Sequence, residues 1–254
     1  MTKGFIYANC ACQSGKGTDF ARKLVKKYLW NYFCQNGLDG WVVQVDIHGY
    51  YLNMQHKDAE SQIQVRTDKD TAEMSCGVLR DQYAGDSGLL DPVDHYVKEK
   101  LHVKRYIRYM DDFWALVETK ECAEELLTNI TVRLKEYGLE VNKKKSHIIP
   151  LNEGFVFLGF QYRLTETGKI IMTLDPDSVK HERKTLARME SKVRKGELKP
   201  EKVDEHHESW ENNASKGNSY KMLKRTKQYL KQLRKGERNE NKKNDADSGR
   251  SSRG

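Results

Sequence analysis

The stretch Lys104-Arg-Tyr-Ile-Arg-Tyr-Met-Asp-Asp-Phe-Trp-Ala-Leu-Val117 limits the possible folds more than any other part of the chain. Apolar or aromatic residues alternate with others in both of its arms, the period-2 signature of half-buried strands. The pattern predicts strands over Lys104–Tyr109 and Asp112–Val117, hinged at Met110-Asp111. Hairpin turns favour Asn-Gly or Asp-Gly at the tip; here two adjacent carboxylates, Asp111 and Asp112, occupy it. Taken alone, an Asp-Asp pair reads as a polar turn. Adjacent like charges repel, so a fold keeps them mainly where a cation or positive partner offsets the repulsion.

A second acid sits in a comparable setting. Trp41–Ile47 is apolar and β-branched enough to be a buried strand, with one carboxylate, Asp46, near its C-terminal end. A charge there is costly unless it is exposed at an edge, paired, hydrogen-bonded or bound to a metal. Between these two segments, Lys57–Arg66 and Thr71–Gln82 read as helices and Gly85–Gly88 as a turn. Asp91–Leu101 reads as a helix with Pro92 at its first position, where proline is tolerated.

Elsewhere the chain alternates helical and strand patterns. Gln13–Thr18 is a basic glycine loop that could hold a phosphate, although it lacks the full phosphate-loop pattern and reads first as a structural turn. It enters a helix over Asp19–Phe33, with Phe20, Leu24, Tyr28 and Phe33 on one face. Cys122–Tyr137 is an amphipathic helix ended by Gly138. Leu139–Ile149 reads as a strand broken by a basic turn, and Gly154–Leu164 with Lys169–Leu174 as a β-hairpin. Beyond residue 177 helix formers and charge dominate, and His206-His207 reads as a helix-end pair rather than as metal ligands. Lys221–Arg238 carries eight basic residues and one acid, and the Asn/Lys/Ser/Gly-rich chain from Gly236 reads as disordered.

Charge and cysteine usage narrow the class. With 45 Lys+Arg against 37 Asp+Glu, the net charge of +8 favours a polyanionic partner such as nucleic acid. Five scattered cysteines suggest neither a disulfide framework nor a zinc site, and fit a reduced, cytoplasmic setting. No run of eighteen apolar residues exists to span a membrane, and the N-terminus lacks the apolar core of a signal peptide.

In order along the chain, strand-end Asp46 followed by an aromatic pair, Tyr109-Met-Asp-Asp112 at a hairpin tip, lysines before Ser146 and Phe157-Leu-Gly-Phe160 resemble the reverse transcriptases. The flavour is bacterial, akin to the group II intron, retron and diversity-generating lineages. The resemblance implies an α+β fold: residual fingers at 1–40, a polymerase-like palm at 41–176 built on an antiparallel sheet with packed helices, a basic helical thumb at 177–235 and a disordered tail at 236–254. It implies RNA-directed DNA synthesis from dNTPs on a primed RNA template, with two Mg²⁺ ions for which Mn²⁺ can substitute. Asp46, Asp111 and the Ile47 carbonyl would be the principal ligands and Asp112 a supporting one. Lys145 would donate a proton to the leaving pyrophosphate or contact its phosphates, with Lys143 and Lys144 as neighbours that blur the assignment. Tyr51 would be a steric gate against a ribose 2′-hydroxyl, with Tyr50 beside it at the nucleotide. Tyr109 and Met110 would touch the primer end, and Phe157, Leu158, Gly159 and Phe160 would seat its backbone. Arg105 and Arg108 read as strand-face charges.

The pattern departs from the family in two places. About forty residues precede Asp46, where a long fingers region is expected. Gly85-Asp-Ser-Gly88 also runs directly into Leu89-Leu-Asp-Pro92, as if the segment forming the floor of the nucleotide pocket had been excised between Gly88 and Leu89. Loss of that floor implies weak activity or none. A catalytically dead RNA-binding remnant is the alternative reading, and an RNA-templated RNA polymerase is a third.

Overall fold

The computed structural model describes residues 6–11, 13, 15–50 and 90–248, with side chains as far as Lys235. The helices expected at Lys57–Arg66 and Thr71–Gln82, the Gly88–Leu89 junction and Tyr51 lie outside the described residues. The chain divides into two units, residues 1–158 with 163–170, and residues 159–162 with 171–254.

The first unit is organised on a four-stranded sheet. Its strands are β1 (Trp41–Val45), β2 (Arg105–Tyr109), β3 (Asp112–Val117) and β4 (His147–Pro150), in the order β2-β3-β1-β4. All three pairings are antiparallel. Side chains alternate between the two faces. On one face, Val43, Val45, Phe113, Ala115 and Val117 pack against Ala123, Leu126, Ile130 and Leu134 of α3 (Lys120–Lys135). Val93 of α2 (Asp91–His95) and Val97 of the wider π-helical turn Tyr96–Lys100 complete that core. The helix starts where the sequence supplies a cap, the Thr119 hydroxyl accepting the Cys122 N–H at 3.2 Å.

On the opposite face Trp114 is fully buried. It stacks on Tyr28 of α1 (Thr18–Asn36) at 6.5 Å and meets Phe155 of β5 (Phe155–Phe157) at 5.5 Å. The buried side of α1 is carried by Ala21, Leu24, Val25, Leu29 and Tyr32. Of the four residues expected on that face, Leu24 is buried, while Phe20, Tyr28 and Phe33 lie at its margin. In the glycine loop before α1, Lys16 folds inward, donating to the Tyr7 and Asn9 carbonyls at 2.8 and 3.0 Å. Its charge is used to close the N-terminal turn.

A second sheet has the order β5-β6-β7, with β6 at Phe160–Leu164 and β7 at Ile170–Leu174. The continuous strand expected over Gly154–Leu164 is broken at Leu158-Gly159, both with positive φ (48° and 78°), so Phe157 and Phe160 belong to separate strands. Glycine tolerates that conformation; Leu158 adopts it at a steric cost.

The second unit holds three helices, α4 (Pro176–Arg194), α5 (Pro200–Ala214) and α6 (Tyr220–Ser248). Leu186, Val203 and Leu230 form their shared core. Glu182, 3% exposed, takes His206 at 3.0 Å and His207 at 3.2 Å. The histidine pair therefore lies inside α5 and serves a buried carboxylate, rather than ending a helix. Arg234 similarly joins Glu190 at 2.7 Å and Asp204 at 3.0 Å. The backbone of α6 continues past Gly236, where composition alone suggests disorder.

Candidate active site

Strand register brings the three acids of interest to one end of the first sheet. The β1–β3 ladder runs from Trp41–Val117 to Val45–Phe113. One step beyond its last pair, Asp46 stands level with Asp112, on the face that carries Trp114. Across β3, Asp112 is paired with Tyr109 of β2, and Met110-Asp111 forms the tight turn between them. Met110 has φ 56°, in the left-handed region that residues with a Cβ rarely adopt.

Asp46 is held from its other side by the segment after α3. Its N–H donates to the Ser146 hydroxyl at 3.1 Å, and its carbonyl accepts from Asn142 N–H at 2.8 Å. His48 N–H donates to the Glu140 carbonyl at 2.7 Å, and Ile47 bridges Val141 between these bonds. Such a pairing is of the non-hydrogen-bonded kind, which turns the Ile47 carbonyl away from Val141 and toward the β3 side. The same segment delivers Lys145, whose Nζ lies 3.3 Å from Asp46 Oδ2. Of the three consecutive lysines, it is Lys145 that reaches this carboxylate.

The electrostatics agree with the register. Burial pushes the Asp112 carboxyl up to about 6; the negative charges of Asp111 and Asp46 add to the rise and Lys145 opposes it. Asp111 is raised for the same leading reason, burial, with its own backbone N–H and Lys145 working the other way and Asp46 adding to the rise. Each acid therefore lies within the field of the others. Among the described residues, no three His, Cys, Asp or Glu side chains close into a ready metal cage. The donor set is nonetheless of the right chemistry for Mg²⁺: hard oxygens from two or three carboxylates and a carbonyl.

Beneath the turn lies an ion pair that sequence reasoning missed. Arg108 and Asp94 both have fully buried side chains, with Arg108 Nε 2.9 Å from each Asp94 oxygen and Nη2 at 2.8 Å from Oδ2. Burial alone would lower the Arg108 pKa, but the Asp94 charge and hydrogen bond hold it raised. Tyr106 donates its hydroxyl to Asp94 at 2.6 Å, and Arg108 Nη1 donates to the Met110 carbonyl at 3.0 Å. Arg108 is thus no strand-face charge. The available signal was a charged residue amid Tyr106, Ile107 and Tyr109, where an unpaired guanidinium would be very costly. Arg105 does lie at the surface end of β2, paired to Glu118 at 3.0 Å.

The remaining expected site residues are distributed as follows. Tyr50 is 2% exposed and belongs to the hydrophobic core with Val45 and Phe113. Tyr109 is half-buried beside Asp112. Phe157 and Phe160 turn their rings inward (3% and 1% exposed), so the half-buried Leu158-Gly159 turn is what this run offers at the surface. A cleft of about 280 Å³ between Leu101–Arg105 and Cys122–Asn129 lies at the other end of the hairpin and contains none of these residues.

Residues 87–162 match the family model described as reverse transcriptase (RNA-dependent DNA polymerase). The matched span includes Asp94, Arg108, Asp111, Asp112 and Lys145, and begins after Asp46. No curated protein matches the chain. Similar solved structures include a Candida albicans telomerase in complex with a TWJ fragment of telomeric RNA, at 12% identity and a TM-score of 0.47, covering 70% of this chain. Another is the apo telomerase of Candida tropicalis, at 12% identity and a TM-score of 0.46, covering 67% of this chain. The chain spans 38% of the length of each.

Proposed function

We propose that the chain is an RNA-directed DNA polymerase that adds dNTPs to a primer on an RNA template by two-metal-ion nucleotidyl transfer. The observation that carries this reading is the β1–β3 register, which sets Asp46 level with Asp112 at the tip that also bears Asp111. The reverse-transcriptase match over 87–162 supports it from the sequence side. The bacterial retroelement flavour of the motifs remains part of the same reading.

In this scheme Asp46, Asp111 and the Ile47 carbonyl hold the divalent cations, and Asp112 supports them. Two such cations, when bound, lower the pKa of the primer 3′-hydroxyl and stabilise the leaving pyrophosphate. Lys145 leaves Asp46 to meet the triphosphate, where its ammonium balances charge and can pass a proton to the departing group. Tyr51 borders the nucleotide and excludes a 2′-hydroxyl, while Tyr50, buried in the core, packs rather than binds. Tyr109 and Met110 meet the primer end, and the half-buried Leu158-Gly159 turn its backbone. Turnover is expected to be low, because orientation of reactants supplies about 7–11 kcal/mol where a complete pocket exists, and the Gly88–Leu89 junction omits the expected floor.

Primer extension on poly(rA)/oligo(dT) with Mg²⁺ or Mn²⁺, beside an Asp111→Ala control, tests the proposal. Incorporation of dTTP well above the control is the expected result. Equal signals from both proteins would refute it. Preference for dNTPs over NTPs, relaxed by Tyr51→Ala, separates it from an RNA polymerase.

A further inference from the structure

The acids at the tip account for one part of the local chemistry and leave the buried Arg108–Asp94 pair without a role. Two charges with no exposed side-chain surface are an expensive way to build a core. Replacing such a pair by apolar side chains of similar volume is often neutral or stabilising. Packing alone therefore does not explain it, and the hydrogen bond from Arg108 to the Met110 carbonyl points to what it does.

Arg108 uses its fork in two directions. Nε and Nη2 grip the Asp94 carboxylate, while Nη1 donates to the Met110 carbonyl at 3.0 Å. That oxygen belongs to the peptide group joining Met110 to Asp111. Peptide groups are planar, so fixing the oxygen fixes the Asp111 N–H and the position of its Cα, the point from which the Asp111 side chain leaves the turn. Met110 sits at φ 56°, a conformation that needs outside support in a residue with a Cβ. The rest of the assembly is anchored in turn. Tyr106 locks Asp94 at 2.6 Å, and the Arg108 backbone is bonded at both groups, to the Ala8 carbonyl at 3.1 Å and to Cys10 N–H at 2.8 Å.

We infer that Arg108, held by Asp94, is the positioning residue that sets the Met110-Asp111 turn and so aims the Asp111 carboxylate. The inference rests on the polymerase reading for its consequence in catalysis. Arg108 touches no substrate; it acts through the Met110 carbonyl. The chain of contacts links α2 to the hairpin tip, so the tip's geometry depends on a helix outside the sheet.

Two variants test it. Arg108→Lys keeps the charge but not the planar fork, and one ammonium on a flexible stem cannot grip both carboxylate oxygens and the Met110 carbonyl together. Tyr106→Phe/Asp94→Leu/Arg108→Met replaces the whole network with apolar side chains. In both, kcat for primer extension should fall by about 10–100-fold, the scale set by small misplacement of a reacting group. KM for dTTP should stay within about threefold, since ground-state binding is untouched. Amide hydrogen exchange gives a readout free of activity. Exchange over 109–112 should speed up at least about tenfold, with 113–117 unchanged. Wild-type kcat together with unchanged exchange at 109–112 in either folded variant would overturn the inference. Absence of extension by the wild-type chain would sink the polymerase reading instead, and the exchange experiment would still decide whether Arg108 holds the turn.

Discussion

Replacing Asp112 with Asn should make the metal-free protein more stable while reducing its activity. The Asp112 carboxyl is carried from its ordinary 3.8 to about 6, chiefly by burial and then by Asp111 and Asp46, against the pull of Lys145. An acid whose folded pKa is raised binds a proton in the folded state that the unfolded chain has already lost. Stability is then greatest below the unfolded value, falls as pH rises through the window from about 4 to 6, and is flat above it. The difference corresponds to about 3 kcal/mol, and partial access of water to the site places the realised value at about 1–3 kcal/mol. Asn cannot ionise and is nearly isosteric, so Asp112→Asn should gain that amount at pH 7.5 and lose its advantage near pH 4. At about 2–4 °C per kcal/mol for a chain of this size, the midpoint should rise by about 2–12 °C. Urea unfolding of both proteins at pH 4, 5, 6 and 7.5 provides the measurement. A repeat in saturating Mg²⁺ should narrow the gap, because a cation bound only by the folded state stabilises wild type through the same carboxylates. A variant equal to or less stable than wild type at pH 7.5 would show that neither burial nor the neighbouring acids penalise the ionised Asp112 carboxylate, and would refute the reasoning.

Lys145 is largely exposed, so Lys145→Ala should change stability by less than about 1 kcal/mol yet lower kcat/KM for dTTP by about 10²-fold or more, read from paired denaturation and extension assays. Glu182→Ala leaves His206 and His207 without their shared acceptor and should cost the helical unit about 2–3 kcal/mol, followed by fluorescence of Trp210, whose ring stacks on His207 at 5.9 Å. Lys221, Lys224, Arg225 and Lys231 are exposed on α6. Changing these four to Gln should reduce the slope of log K against log salt for RNA binding by about 0.7–0.9 for each phosphate no longer neutralised, and an unchanged slope would remove α6 from the RNA surface.

What could be read in advance depended on sequence distance. The hairpin arms are visible because alternation and the turn lie within one short stretch, and the structure returns them within one residue, at Arg105–Tyr109 and Asp112–Val117. Helix α3 is equally clear, displaced by two residues from Cys122–Tyr137 because the Thr119 cap starts it at Lys120. The pairing of β1 with β3 is of another kind. Alternation shows which face a residue occupies but not which distant strand lies beside it, so Asp46 could be matched to Asp112 only through resemblance to a family. Arg108 and Asp94 come from different elements, and nothing local shows that two charges will neutralise each other inside a core. The histidine pair His206-His207 is misplaced by sequence for a related reason. Pro200 at the first turn of α5 starts the helix early enough to put both histidines inside it, opposite a glutamate from α4. The break at Leu158 was the most legible miss, since Gly159 follows it and a strand interior disfavours glycine.

The two cations nearest the acidic tip divide between structure and chemistry by their surroundings. Arg108 is buried and engaged by Asp94 and the Met110 carbonyl, and its charge is matched before it can be felt at the surface. Lys145 is exposed on a turn, touches Asp46 at 3.3 Å, and is the cation that eases Asp111 and Asp112. Among the described residues, one lysine against three carboxylates leaves this end of the sheet electronegative. Burial has already raised two of those acids, so the remaining charge is poorly relieved by water. A hard divalent cation is the partner that such an excess of negative oxygen favours. Were Arg108 unpaired, it would supply that relief from within and weaken the demand for metal. The buried pair therefore keeps a positive group close enough to shape the turn while preventing it from competing for the acids it positions.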